Sequence, residues 1–129
     1  MLKDTASFTG VSLCKKSGRI RIFHSTIKEL GNPKYIRFLF NPEKKALVVQ
    51  SCKKKEPECF RVPKYNPENW EFAIHSIPML RMIWKVCDWE EDKTYRSDGM
   101  HYADHELVEF DLKQAEILMD DDIESAELY

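Results

Sequence analysis

Two stretches of this 129-residue chain follow one rhythm of strand, helix and hairpin, so any fold it adopts must accommodate two copies of a single supersecondary unit. Residues 19–50 run Arg-Ile-Arg-Ile, His24-Ser25, a short helical segment, Tyr35, a turn and Leu47-Val48. Residues 71–112 run Glu-Phe-Ala-Ile, His75-Ser76, a longer helical segment, Tyr95, a turn and Leu107-Val108. The His-Ser pairs are offset by 75 − 24 = 51 residues, the tyrosines by 95 − 35 = 60 and the Leu-Val pairs by 107 − 47 = 60. One insertion of 60 − 51 = 9 residues in the second helix and its following loop reconciles the offsets. The spacing predicts two superimposable β-α-β-β units, and hence an α+β, mostly β chain. A shared rhythm without duplication would give the same coarse pattern.

Local signals fill in the units. Ser7 to Leu13 has strand character, and Lys15-Lys16-Ser17-Gly18 is a turn in which glycine can take positive φ. Arg19-Ile20-Arg21-Ile22 alternates polar and apolar residues, the period of a half-buried strand. Ser25 or Thr26 is placed to cap a short helix through Leu30, which Gly31 and Asn32-Pro33 end. Tyr35 to Phe40 and Ala46 to Gln50 form a hairpin around Asn41-Pro42-Glu43-Lys44-Lys45. Residues 51–58 read as a polar linker between units. Phe60-Arg61-Val62 restarts a strand that Pro63 limits, and Asn66-Pro67 is a further turn. Trp70 to Ile74 is a strand, and Ile77 to Val86 a helix with Ile77, Leu80, Ile83 and Trp84 on one face. Tyr95 to Met100 and Leu107 to Leu112 complete the second hairpin, and a short helix is expected to begin near Gln114. The expected organisation is a basic unit over 1–52, an acidic unit over 59–115 and a mobile acidic tail over 116–129.

Charge separates the units. Through residue 65 the chain has 15 Lys/Arg and 5 Asp/Glu, a net of +10; from residue 66 it has 5 and 17, a net of −12. The sum of −2 hides this. Such asymmetry points to a polyanion-binding face, to an acidic tail, or to attraction between complementary lobes within one chain or between two. Apolar content of 43% is enough for a core and argues against global disorder. No apolar run approaches the ~20 residues of a membrane span, and the first residues lack a signal-peptide stretch, so a cytoplasmic protein without membrane contact is expected. In that setting Cys14, Cys52, Cys59 and Cys87 are expected as reduced thiols, although Cys52 and Cys59 bracket a lysine-rich turn.

Residues 9–50 carry a more specific pattern: Thr-Gly-Val-Ser-Leu, then Lys-Lys-Ser-Gly-Arg-Ile-Arg-Ile, then Ile27-Lys28-Glu29-Leu30-Gly31, then strand, turn and Leu-Val-Val. This resembles the SpoVT/AbrB-type swapped-hairpin DNA-binding domain of bacterial transition-state regulators and antitoxins. The resemblance implies two units interlaced into one β-barrel, built from a single chain as in tandem-repeat regulators of the MraZ type. It also implies that basic loops and strand ends rest on duplex DNA. Lys15, Lys16, Arg19, Arg21 and Lys28 fall on the family's basic positions. Their role would be phosphate neutralisation, with Arg19 or Arg21 forking onto a base edge. The alternative is an ordinary solvated strand face. This chain departs from the pattern at Phe23, where the family has proline, and at Asn32-Pro33-Lys34-Tyr35, where it has Gly-Asp. The second unit lacks the Gly-Arg turn and is acidic, so only one half meets phosphate unless chains dimerise.

Other constellations are weaker. Lys53-Lys54-Lys55 is a further phosphate contact or a solubilising run. His101 and His105, with Asp98, Asp104 and Glu106, have metal-ligand chemistry, but their spacing needs a helix that Gly99 argues against, so no metal is expected. His24 and His75 sit at matching positions and read as helix-start capping residues. Trp84 reads as core, and so does Trp89, with an exposed partner site as its alternative. No P-loop, Rossmann glycine pattern or activated nucleophile is legible, so neither an enzyme nor a cofactor is expected. The leading expectation is a DNA-binding regulator or antitoxin-like protein. The other is a protein-interaction or assembly module, such as a homodimer, in which basic and acidic lobes pair.

Overall fold

Alternating residues in Arg19-Ile20-Arg21-Ile22 bury both isoleucines and turn both arginines outward, and the same alternation organises the strands around them. The computed structural model describes residues 9–65 and 72–118. The elements are β1 (Gly10–Cys14), β2 (Arg19–Ile22), α1 (His24–Glu29), β3 (Tyr35–Asn41), β4 (Ala46–Cys52), β5 (Phe60–Arg61), β6 (Ala73–His75), α2 (Ile77–Cys87), β7 (Thr94–Tyr102), β8 (Leu107–Asp111) and β9 (Glu116–Leu118). The chain is α+β and mostly β, with its strands in one antiparallel sheet curled into a half-barrel. Among the described residues, no helix is long and apolar enough to cross a membrane.

The strand order β5-β3-β4-β8-β7-β1-β2-β6 interlaces the units. β1, which opens the first unit, pairs with β7 of the second unit's hairpin. β5, which opens the second, pairs with β3 of the first unit's hairpin. β2 pairs with β6, and β4 with β8. In the β4–β8 pair Val48 faces Glu109 and Val49 faces Val108. These positions are equivalent under the offset of 60, so an approximate two-fold axis passes between them. Strand-helix-hairpin order thus occurs twice. The helices end at Glu29 and Cys87, an offset of 87 − 29 = 58, so most of the extra residues lengthen α2.

The core lies between the sheet and the two helices. Val11, Leu13, Ile20, Ile36, Leu47, Val49, Val108 and Phe110 are fully buried there, joined by Ile27 of α1 and by Leu80, Ile83 and Trp84 of α2. Ile77, expected on the buried face of α2, is half exposed and rests against Gly18, whose positive φ of 72° forms the β1–β2 turn. Gly99 faces Phe110 across the β7–β8 pair, and a Cβ there would lie 2.6 Å from the Phe110 ring and closer still to Val108. An aromatic cluster fixes the end of α2. Trp89 stacks on Tyr95 at 3.9 Å, Trp84 meets both rings edge-on, and the Trp84 indole N–H donates to the Glu90 carbonyl. Trp89 is therefore a core-packing residue.

Several sequence expectations change in the fold. Neither Ser25 nor Thr26 caps α1: the N-cap is Phe23, with no side-chain cap bond. Thr26 is fully buried instead, and its hydroxyl accepts from Gly10 N–H at 2.8 Å and donates to Gly10 C=O at 3.0 Å, tying α1 to β1. His24 is the first residue of α1 and His75 the last of β6, and neither caps a helix. The expected strand over Trp70–Ile74 appears as Ala73–His75, with residues 66–71, including the Asn66-Pro67 turn, outside the described part. The segment read as a tail begins with an ordered strand, because β9 pairs with the first half of β7. Asp120-Asp121-Asp122 lies outside the described residues.

The largest correction is at the cysteines. Cys52 and Cys59 are joined by a disulfide, their Cα atoms 6.7 Å apart. β4 and β5 flank β3 on opposite sides, so that Tyr35 faces both Cys52 and Arg61. The eight residues 52–59 must therefore turn back across the start of β3, and this brings the two thiols together. Cys14 and Cys87 remain free.

Candidate nucleic-acid interface

The five basic positions singled out in the sequence do not converge on one point. Lys15 and Lys16 occupy the β1–β2 turn at one end of β2, and Lys28 lies on α1 beyond the other end. Lys15 is half-buried and forms an ion pair with Glu91, whereas Lys16 and Lys28 are exposed. Arg19 and Arg21 project from the outer face of β2, and neither residue is without a partner. Register places Arg96, Ser12 and Arg21 in one cross-strand row, so two guanidinium-bearing residues flank Ser12 about 10 Å apart. Arg96 also lies over the Phe23 ring at 5.5 Å and pairs with Asp98.

A second basic constellation escaped the sequence reading. Gly31 and Asn32 take positive φ after α1 and redirect the chain, and Val62 N–H donates to the Lys34 carbonyl, extending the β3–β5 contact. Between these segments lies a cleft of about 490 Å³. Lys34, Arg61 and Lys64 line it together with His24, Tyr35 and Tyr65, and among the described residues no carboxylate takes part. All three cations are exposed, and none forms an ion pair among the described residues. His24 and Tyr65 stack with ring centroids 3.8 Å apart and planes 16° from parallel. Burial, reinforced by the Lys28 charge, holds the His24 pKa below its ordinary value. Ser25 Oγ beside it is buried with no hydrogen-bond partner among the described residues. The sequence did carry a signal here, Arg61-Val62-Pro63-Lys64-Tyr65, which places two basic residues and a tyrosine within five positions. Lys34 lies 27 residues before Arg61, so only strand pairing reveals the cluster.

The remaining features are distributed elsewhere. Lys53, Lys54 and Lys55 sit exposed on the loop that the disulfide closes. A groove on the opposite unit is lined by Asp98, Glu109, Asp111 and Glu116 with Arg96. His101 Nδ1 lies 3.8 Å from Glu29, and the His105 carbonyl accepts from the Gln50 side chain. Among the described residues, no three His, Cys, Asp or Glu side chains come together as a metal site. No protein-family model matches the chain, and neither a curated protein nor a solved structure is significantly similar to it.

Proposed function

We propose that this protein binds nucleic acid without catalysing a reaction, its basic first unit providing the contact surface in the manner of AbrB-type DNA-binding proteins. The observation that carries this reading is that, among the described residues, the acidic unit neutralises few of the basic unit's cations. Lys16, Lys28 and Lys34 of the first unit are exposed without an ion pair among the described residues, as are Arg61 and Lys64 where the second unit opens. Among those residues, Lys15–Glu91 is the one Lys or Arg ion pair between the basic and acidic units. Interlaced units also support the reading, because rigid pairing holds the β1–β2 turn and α1 at fixed separation, as backbone contacts along a duplex require.

Anisotropy of a labelled random duplex, titrated with salt, tests it. Contacts by Lys16 and Lys28 predict a log–log salt slope of about −2. Lys16→Ala and Lys28→Ala should each flatten that slope by about 1 across sequences. Absence of duplex affinity at 50 mM salt, a concentration at which counterion release favours binding, refutes the reading. The assembly-module reading draws on Lys15–Glu91 and on the His101–Glu29 contact, both of which join the units. In that case light scattering after size exclusion shows a salt-sensitive oligomer, and the duplex stays unbound.

A further inference from the structure

The geometry points to the cleft between α1 and β5 as a binding site for the phosphate-and-base unit of a nucleotide, a site separate from the duplex contacts proposed for Lys16 and Lys28. Its chemistry is one-sided. Lys34 and the pair Arg61 and Lys64 supply cationic donors from two backbone segments, and among the described residues no carboxylate of the lining offsets them. By contrast, Lys15, Arg37 and Arg96 have carboxylate partners. Arg61 brings a planar fork that suits phosphate oxygens in pairs, and the two lysines add mobile point charges. Like charges held together repel one another, and a bound anion removes that cost.

Phosphate alone does not account for the rest of the wall. Tyr35, Tyr65 and His24 contribute ring surface, and Tyr65 is 51% exposed while one side of it covers His24. A planar base stacks on such surfaces without regard to its identity, by ~1–3 kcal/mol per base. The volume of about 490 Å³ falls within the range of small-ligand sites and accommodates a single nucleotide. Paired bases inside a duplex cannot present a free face to this wall. The ligand is therefore a free mononucleotide or one unstacked nucleotide of a single strand.

Adenosine monophosphate, inorganic phosphate and an eight-nucleotide poly-dT strand are the probes, added to the full chain and followed by NMR and calorimetry. Binding of either nucleotide probe, with shifts at the His24 and Tyr65 rings and the Arg61 guanidinium, is the expected result. A stronger response to the strand assigns the source to nucleic acid, and a response to the monophosphate alone assigns it to a free nucleotide. Arg61→Gln and Lys34→Gln should each weaken binding about ten-fold, which corresponds to ~1.4 kcal/mol. Both positions are exposed, so the variants should keep wild-type circular dichroism, and the salt slope on random duplex should stay as in wild type. Three results overturn the proposal: no ring shifts with any probe at millimolar concentration, inorganic phosphate binding as well as the nucleotides, or nucleotide binding indifferent to Arg61→Gln. Failure of the duplex assay with retained nucleotide binding refutes the proposed function alone.

Discussion

Replacing Thr26 with valine keeps the β-branched shape and removes a single oxygen. That oxygen serves both backbone groups of Gly10, accepting from its N–H at 2.8 Å and donating to its C=O at 3.0 Å, at a fully buried position. The carbonyl also accepts the Phe23 N–H at 3.1 Å, so it retains a partner after the substitution. The N–H does not. A buried donor left without a partner costs about 1–3 kcal/mol, and the extra methyl returns somewhat less than 1 kcal/mol by burial. Thr26→Val should therefore destabilise by ~1–2 kcal/mol, or about 4–8 °C in melting temperature for a chain of this size. Thr26→Ser keeps the bonds but loses a buried methyl, about 1 kcal/mol. Urea unfolding alone would separate the two poorly. Amide exchange separates them well, because the Gly10 N–H should exchange quickly in the valine variant and stay protected in the serine variant. A valine variant as stable as wild type, with its Gly10 amide still protected, would refute the assignment of Thr26 as the tie between α1 and β1.

Gly99→Ala should destabilise by about 1–3 kcal/mol, since its methyl would press on Phe110 and Val108 in a packed core; thermal unfolding measures it. Reducing the Cys52–Cys59 disulfide should cost about 2–3 kcal/mol from loop-closure entropy, and the unfolding midpoint with and without reductant measures that loss. Burial and Lys28 depress the His24 pKa, so the unfolded chain takes up that proton first as pH falls. The His24 contribution to stability is thus intact above about pH 6.5 and declines below it toward the folded pKa. His24→Gln should flatten this acid-side decline in urea-unfolding free energy, and an unchanged pH profile would rule the linkage out.

What could be read without coordinates was whatever neighbours along the chain decide. The alternation of Arg19-Ile20-Arg21-Ile22, the turn at Asn41-Pro42, the apolar face of the second helix and the doubled strand-helix-hairpin order rest on contacts within a few residues or on repetition. Strand boundaries in both hairpins accordingly agree with the expectations to within one or two residues. Other features came only with the fold, because their causes lie in pairings distant in sequence. Thr26 looked like a helix cap until α1 packed on β1, where the Gly10 backbone, 16 residues earlier, needed its hydroxyl more. Cys52 and Cys59 looked like separate thiols until β4 and β5 settled on the two sides of β3. Five basic residues looked like one patch because they are near in sequence, but β2 holds Lys16 and Lys28 at opposite ends. Lys34 and Arg61, unremarked in the chain, line one cleft because β3 pairs with β5. Sequence alone determined the two-unit, mostly β plan and its charge asymmetry. Tertiary structure decided how the units interlace and which charges stand together, since antiparallel register is set by the joint burial of two distant apolar faces rather than by either strand alone.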